Sequence, residues 1–589
     1  MPKIFSGVKL PRIPLPVEGI QVNFCKQPAC ENYGRPADIR NQSRGPRARK
    51  ETRDTYKKVA AGRGFPCLEC QLCNVITPIK SNQGIFEELN RISDYLNPPP
   101  EPSCPNSGCS NHIVPVSTGN GAYSSYGKTK TGSPRFRCNH CYKTFSTKST
   151  STNRHKAPHK NRIVFALLVN KMPFKRILKT ADISAPTLYG KIDFFYRQCL
   201  AFVRDREKRL WEGFPIERAY VSIDRQDYLV NWASRVERKN IQFTAIAAAC
   251  NITRYVFGHH LNYDSRADYH EIEAIADEID DYSLKLPFRR FAHVWLDDEF
   301  QRLKHTATSG VNPETILAAV DKRYRELGSR EDIELPEQNP EHRKLPDTGV
   351  MTRFEYTTYA HFCLLEKMLQ GAEKVRFFFD QDSTLRAACL SIFKDRIIDR
   401  TCDAFYVHYL KHLTVDEREE RMREKKRAFK ETRQRYPELS EYQVKLLMMR
   451  FEIQKRRSVG PFEDKWFMHP LPTMGEPEKA ISYQTDMQDL DEDHLASLCL
   501  NATLQAVDSY FNQVRRRLSP LERGLSTASN EGRLWKGHLP YKPETLQKLI
   551  EIFRVYHNYV EPGKDKQTPA MRLGLAKGNL KIEDIIYYQ

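Results

Sequence analysis

At 589 residues the chain is too long for one hydrophobic core, so three or more domains are expected. Its 40% hydrophobic and 28% charged content is that of ordinary globular protein. The longest mostly apolar runs, Ile163–Val169 and Phe243–Cys250, fall far short of the roughly 20 residues that span a bilayer. The opening stretch lacks the continuous apolar segment of a secretory signal, so a cytoplasmic chain is expected. The net charge of +19 is unevenly placed: residues 1–200 carry 32 Lys and Arg against 12 Asp and Glu, residues 201–589 carry 61 against 62. The first third is therefore a basic segment suited to polyanions, through phosphate contacts and counterion release.

The same third holds nine of the fifteen cysteines, in short-spaced groups. Cys25 and Cys30 form a C-x4-C pair, followed by Cys67, Cys70 and Cys73; Cys104 and Cys109 form a second C-x4-C pair, followed by Cys138 and Cys141. Two thiolates at that spacing reach one ion at a tight turn, and two such pairs complete the tetrahedral sulfur shell of a structural zinc site. Disulfides need an oxidising compartment, of which the sequence gives no sign, and the thioredoxin-like context for a redox C-x-x-C is missing. Two zinc ribbons are predicted, over 20–95 and 100–150. The first uses Cys25, Cys30, Cys70 and Cys73, the last two preferred because Asn74 suits a knuckle turn, with Cys67 as the alternative ligand. The second uses Cys104, Cys109, Cys138 and Cys141. The remaining six cysteines read as buried small hydrophobes.

A polar basic stretch, Thr147–Lys160, reads as a linker, and a helical pattern follows over 160–212. Pro173 opens a short helix, and Ser184 with Pro186 marks the start of the next. Two short helices about a tight turn fit a helix-turn-helix, placing Thr187, Tyr189, Gly190 and Lys191 near DNA.

From residue 215 the pattern changes to strands. AYVSIDRQDYLV is a strand carrying Asp224, with Asp227 as its neighbour; IQFTAIAAAC and ITRYVFGHH continue a meander. A helix over Ser265–Tyr282, another over Tyr356–Leu369, the strand VRFFF ending at Asp380, the helix STLRAACLSIF and the strand AFYVHYL complete the part to 411. Asp382, two residues beyond Asp380, is an alternative to it. The region 412–485 is predicted as a helical insertion, its charged stretch Val415–Arg457 holding many i,i+4 opposite-charge pairs typical of a solvated helix. In 486–589, LASLCLNATLQAVDSYFNQVRRRLS reads as one helix with Asp508 beside a buried stripe and Arg515, Arg516 and Arg517 at its end, an arrangement that suits contact with both metal and DNA phosphates. Carboxylates, where a fold brings three of them together, suit two Mg²⁺ (or Mn²⁺) ions about 3.5–4 Å apart acting on a phosphodiester.

The order of strands and helices resembles the ribonuclease H-like fold, and the chain resembles the DDE transposases of bacterial insertion sequences. RFRCNHCYKTFS is similar to their N-terminal ribbon, AVDSYFNQVRRR to their "iEsfn…lk" helix, and Tyr556, Asn558, Thr568 and Pro569 match the tail "YN…TP…L". The resemblance implies an α/β ribonuclease H-like catalytic core with a helical insertion, behind two zinc ribbons and a helix-turn-helix. It further implies binding of double-stranded DNA at element ends and target, homo-oligomers on paired ends, a nucleoid-associated location, and cleavage with strand transfer by Asp224, Asp380 and Asp508. Asp508 stands where the family has glutamate, one methylene longer. The alternatives are a transposase-derived DNA-binding protein without activity, or a structure-selective nuclease of the same fold.

Overall fold

The computed structural model describes the chain except for residues 1–9, 41–53, 62–64, 98–100, 131, 148–151, 153–154, 232–238, 298, 301–315, 317–319, 322–343, 411–412, 461–462, 490, 523–524, 527–533, 536–537 and 589. Part of the expected linker over Thr147–Lys160 lies outside the described residues. Two compact units emerge: Met1–Ile92, Leu210–Arg516 and Pro520–Gln547 form one, and Ser93–Arg209, Arg517–Ser519 and Lys548–Gln589 form the other.

The larger unit is built on one mixed eight-stranded sheet. Its strands are β1 (Ile216–Val230), β2 (Ile241–Cys250), β3 (Val256–Leu261), β4 (Ala372–Phe379), β5 (Cys402–Tyr409), β6 (Arg457–Val459), β7 (Asp464–Met468) and β8 (Lys479–Tyr483). They lie in the order β6-β7-β8-β5-β4-β1-β2-β3. β1, β4 and β5 are parallel, and every other pairing is antiparallel. The parallel centre is a near-continuous apolar run (Phe377, Phe378 and Phe379 on β4; Ala404, Phe405 and Tyr406 on β5), as expected for strands covered on both faces. The helices are α1 (Phe354–Met368), α2 (Ser383–Ile392), α3 (Val415–Arg435), α4 (Glu441–Gln454), α5 (Glu492–Leu500) and α6 (Gln505–Arg517).

Two helices meet opposite faces of the β3 end. From α1, His361 meets His260 of β3, and from α6, Tyr510 and Phe511 pack their rings on His259, the next residue along that strand. Neighbouring residues of a strand point to opposite faces, so α1 and α6 lie on opposite sides of the sheet. The alanines of β2 (Ala245, Ala247, Ala248, Ala249) keep both faces low enough for this. Gly258 has the same use, because a Cβ there would sit 2.6 Å from the His260 ring and 3.2 Å from His361.

The region expected to be a helical insertion supplies α3 and α4, but also β6, β7 and β8, which extend the sheet beyond β5. These strands are three to five residues long and sit among loops, so their alternation was too short to register as a pattern. α3 has no buried residue and starts with a capping box between Thr414 and Glu417, in keeping with its reading as a solvated helix.

The larger unit also contains the first cysteine cluster, on a three-stranded antiparallel sheet of Tyr56–Ala61, Phe65–Cys70 and Ile76–Pro78, followed by the helix Asn82–Ser93. Polar side chains fasten this segment to the sheet. The fully buried Glu88 carboxylate accepts hydrogen bonds from Thr352, Thr357 and Arg91, and Arg91 donates onward to the carbonyls of Leu261 (2.9 Å) and Tyr263 (2.8 Å). Lys80 pairs with Glu355 at 2.5 Å, and the Tyr33 hydroxyl donates to the Leu390 carbonyl at 2.8 Å. The sequence reading grouped this ribbon with the basic segment after it, yet Lys80 and Arg91 are largely buried ion-pair partners rather than surface cations.

The smaller unit holds the second cysteine cluster, on strands Tyr123–Lys128, Pro134–Cys138 and Thr144–Ser146. Helices follow at Asn161–Leu168, Phe174–Thr180 and Ala185–Trp211, with Pro543–Tyr559, Pro569–Leu573 and Ile582–Ile586 from the chain's end. Arg554 is buried against Glu207 at 2.5 Å and Glu551 at 2.7 Å. The tail residues Asn558 and Thr568 are fully buried, and Thr568 caps the Pro569–Leu573 helix by accepting the N–H of Met571.

Candidate metal centres and carboxylate site

Cys25, Cys30, Cys70 and Cys73 bring their sulfurs within 4.8 Å of one another, and so do Cys104, Cys109, Cys138 and Cys141. Sulfur separations are 3.4 Å (Cys25–Cys73) and 3.7 Å (Cys30–Cys70) in one, and 3.3 Å (Cys104–Cys141) and 3.7 Å (Cys109–Cys138) in the other. A disulfide bond requires about 2.05 Å, whereas zinc–sulfur bonds of about 2.3 Å set tetrahedral S···S edges of about 3.8 Å. The two quartets are thus compatible with two structural zinc ions. Cys67 belongs to neither, and lies in mid-strand opposite Val59.

The knuckles explain the choice among the cysteines. After Cys70 the chain turns so that the N–H of Asn74 donates to the Cys70 carbonyl (2.8 Å), with Asn74 at φ +60°. The second ribbon repeats this with Tyr142 donating to Cys138 (3.0 Å) at φ +61°. Asparagine tolerates that left-handed backbone and tyrosine less so, which is why the first knuckle was readable and the second was not.

Further partners were missed in the sequence. In each ribbon the residue two positions after the second cysteine is asparagine. Asn32 donates to Cys70 Sγ at 3.1 Å, and Asn111 to Cys138 Sγ at 3.4 Å. In each ribbon a tyrosine hydroxyl accepts the N–H of the first cysteine at 2.9 Å, the buried Tyr56 for Cys25 and the half-buried Tyr123 for Cys104. The two ribbons are therefore copies of one plan, legible as a repeated C-x4-C-x-N once Asn32 and Asn111 are aligned. Burial opposes ionisation of Cys70 and Cys138, but the asparagine amides and the backbone N–H groups of the knuckles outweigh it, bringing these thiols down to about 7 and about 6. Burial instead pushes Cys30 up to about 11 and Cys104 up to about 12.

The carboxylates lie in the larger unit. On β4 and β1 the register pairs Phe379 with Ile223, so Asp380 and Asp224 follow side by side on adjacent parallel strands. Across β2 and β3 the same row runs through Ala247 to His259. Each of these aspartates accepts the backbone N–H of the next residue at 2.8 Å, from Arg225 for Asp224 and from Gln381 for Asp380. Asp380 also lies 3.6 Å from His408 Nδ1. Asp382, the alternative to it, caps α2 by accepting the N–H groups of Thr384 (2.7 Å) and Leu385 (3.2 Å), and is paired with Arg225. Asp227 accepts from Thr244 Oγ1 at 2.7 Å and is exposed.

Asp508 stands in the first turn of α6, where its Oδ2 accepts the hydroxyl of Tyr409, at the end of β5, at 2.7 Å. The expected single helix is broken between α5 and α6. The Glu476–Lys479 pair causes the break, because Glu476 Oε1 accepts the Leu504 N–H (2.7 Å) and Lys479 Nζ takes the Ala502 carbonyl (2.6 Å). Ser222 Oγ, two residues before Asp224, accepts the N–H of Val507 at 3.1 Å. Sheet and helix thus place Asp224, Asp380 and Asp508 on neighbouring elements. Among the described residues the groups with three or more His, Cys, Asp or Glu ligand atoms within 4.8 Å are the two cysteine quartets, so the three carboxylates do not form so tight a group.

No family model, no curated protein and no solved structure matches the chain.

The residues expected at DNA divide. Thr187 and Tyr189 lie at the start of the Ala185–Trp211 helix, where Ser184 Oγ accepts the Thr187 N–H, and Tyr189 and Gly190 are exposed. Lys191 departs from the expectation. It is 4% exposed, and its ammonium donates to the carbonyls of Lys156 and Ala157 and to Asn161 Oδ1. It fixes the entry to the Asn161–Leu168 helix and presents no charge to a phosphate. Arg515 is half-buried and Arg516 exposed. Arg517 is taken up by Glu561 and by Asn170 Oδ1. No helix among the described residues is long and apolar enough to cross a membrane.

Proposed function

We propose that the protein is a DNA transposase of the DDE type, with a ribonuclease H-like core carrying Asp224, Asp380 and Asp508. The observation that carries this reading is the strand order β3-β2-β1-β4-β5, with β1, β4 and β5 parallel, which sets Asp224 and Asp380 side by side where two parallel strands meet. The three-stranded extension β8-β7-β6 leaves that order intact. The chemistry of the donors fits the proposed ion: Mg²⁺ prefers hard carboxylate oxygens and keeps several waters, so three aspartates suffice. Bound there, Mg²⁺ would polarise a phosphodiester and activate the attacking hydroxyl. The chain's own residues do the positioning. Tyr409 orients Asp508, and Ser222 and Glu476 hold the start of its helix.

Duplex DNA is the proposed partner, met by the basic segment through a helix-turn-helix of Phe174–Thr180 and Ala185–Trp211. The four-residue turn between those helices, with Asp182 at φ +47°, supports this reading. A second reading, a DNA-binding protein without catalysis, is favoured by one observation, that among the described residues Asp224, Asp380 and Asp508 do not gather as tightly as the cysteine quartets.

Incubation of the protein with an end-containing duplex, a supercoiled plasmid and Mg²⁺ separates these readings. Joined product that disappears in Asp224→Asn and Asp380→Asn supports the transposase. Nicking alone indicates a nuclease, and a mobility shift without cleavage indicates the binding protein. Joining that survives Asp224→Asn would remove the proposed site.

A further inference from the structure

The two ribbons share one metal-site plan but carry opposite outer faces, and this difference assigns them different work. Counting back from the third ligand of each, Cys70 and Cys138, aligns Glu69 with Arg137 and Cys67 with Arg135. In the first ribbon Cys67 is 2% exposed, while Glu69 is paired in register with Lys57 and bonded to it at 3.5 Å. On that face Cys67 is buried and the charge of Glu69 is matched by Lys57.

In the second ribbon, Arg135 and Arg137 share one strand face. Each guanidinium lies over an exposed ring, Arg135 over Tyr126 at 5.3 Å and Arg137 over Tyr142 at 4.9 Å. Cation–π contact restrains a guanidinium while leaving N–H donors for a phosphate, and Arg135 is held further by a 3.5 Å hydrogen bond to Thr144 Oγ1. Lys128 and Lys143 are exposed on the same ribbon. No ion pair among the described residues engages any of these four cations. The surrounding sequence offers no acid either: from Pro102 to Ala181 there are 14 Lys and Arg and no Asp or Glu.

We infer that the Arg135–Arg137 face of the second ribbon docks on the phosphate backbone of duplex DNA, and that the first ribbon makes no DNA contact and serves the larger unit. The inference rests on the proposed DNA-binding function and adds which ribbon makes the contact and with which atoms. The commitment to one occupant rests on charge complementarity: a polyanion meets an unneutralised strip of cations whose arginines are preset by tyrosine rings. It also accounts for Cys67, the surplus cysteine, which occupies the position of Arg135 in a ribbon that has no use for an arginine there.

The test measures binding of the full-length, zinc-loaded protein to a 30-bp duplex of arbitrary sequence across a range of KCl concentrations. Each phosphate contact adds about 0.9 to the slope of log affinity against log salt. Arg135→Gln with Arg137→Gln is expected to lower that slope by about 1.8 and to weaken binding by tens of fold at about 0.1 M salt. The double Arg→Lys variant is expected to keep the slope, and Lys57→Gln with Glu69→Gln to leave it unchanged. Unaltered zinc content in all variants confirms that they are folded. An unchanged slope in the arginine-to-glutamine variant, or a loss confined to the first-ribbon variant, overturns the assignment while DNA binding itself stands. Tighter binding to RNA of the same length overturns the choice of DNA. Failure of the parent protein to bind duplex at any salt overturns the DNA-binding reading together with the inference.

Discussion

Ser222 Oγ accepts the backbone N–H of Val507 at 3.1 Å, so one hydrogen bond joins the strand of Asp224 to the helix of Asp508. Val507 is the third residue of α6, and an N–H in that position has no partner within the helix. Ser222 therefore works as an N-cap supplied by another element, and it also donates to the Ala249 carbonyl at 3.2 Å. Ser222→Ala removes the acceptor that Ser222 Oγ provides for this buried donor and is expected to cost about 1–2 kcal/mol. Urea unfolding reads that loss directly, and a change below about 0.5 kcal/mol would show that the bond does not hold the helix.

Glu476 and Lys479 are both almost fully buried and lie three residues apart, and together they bind both sides of the break before α6. Removing one partner strands the other charge. Lys479→Met is expected to destabilise the larger unit by about 3–5 kcal/mol, more than any surface salt bridge contributes. The same reasoning predicts that pairing Lys479→Met with Glu476→Leu recovers part of the loss. A double variant as unstable as the sum of the singles would argue against coupling.

The parts legible in the sequence were those with strong local signals. Cysteine spacing marked both quartets, and alternation or dense apolar runs marked β1, β2, β4 and β5. What the sequence concealed was long-range. Nothing near Asn501 announces the break before α6, since its cause is a carboxylate at Glu476. Lys191 reads as a surface cation on a capped helix until its ammonium is seen on three oxygens. The strands β6, β7 and β8 are too short to show a period, and only their pairing reveals them. Asn32 and Asn111 were readable in principle, because both stand at the same offset from a C-x4-C pair.

The quartets make a sharp prediction about Cys67. It lies three residues before the ligand Cys70 and six before Cys73 yet outside their group, so Cys67→Ser is expected to leave two zinc ions per chain. Cys70→Ser should reduce the count to one, because it removes a ligand that the closed tetrahedral shell requires. Metal analysis after gel filtration distinguishes the two. Loss of a zinc ion in Cys67→Ser alone would place it in the first coordination shell. A strong chelator should unfold the second ribbon first, since so small a module lacks core enough to stand without its ion, whereas the first is also tied to the eight-stranded sheet through Arg91, Lys80 and Tyr33.

The last prediction concerns acid. His361 of α1 is fully buried, with Nδ1 2.8 Å from Nδ1 of His260, and its Nε2 meets no hydrogen-bond partner. Burial alone pushes its pKa down to about 3. In the unfolded chain a histidine titrates near 6.5. Between about 6.5 and about 3 the unfolded state binds a proton that the folded state refuses, so stability falls as pH falls through that window, at about 1.4 kcal/mol per unit. His361→Leu removes the titrating group while roughly keeping the volume against Gly258, at the cost of the bond to His260. The variant is therefore expected to be the less stable protein at pH 7.5, with the gap closing or reversing at pH 4.5. Urea midpoints at the two pH values measure this. A gap that stays constant across the window would mean that His361 takes no part in acid destabilisation.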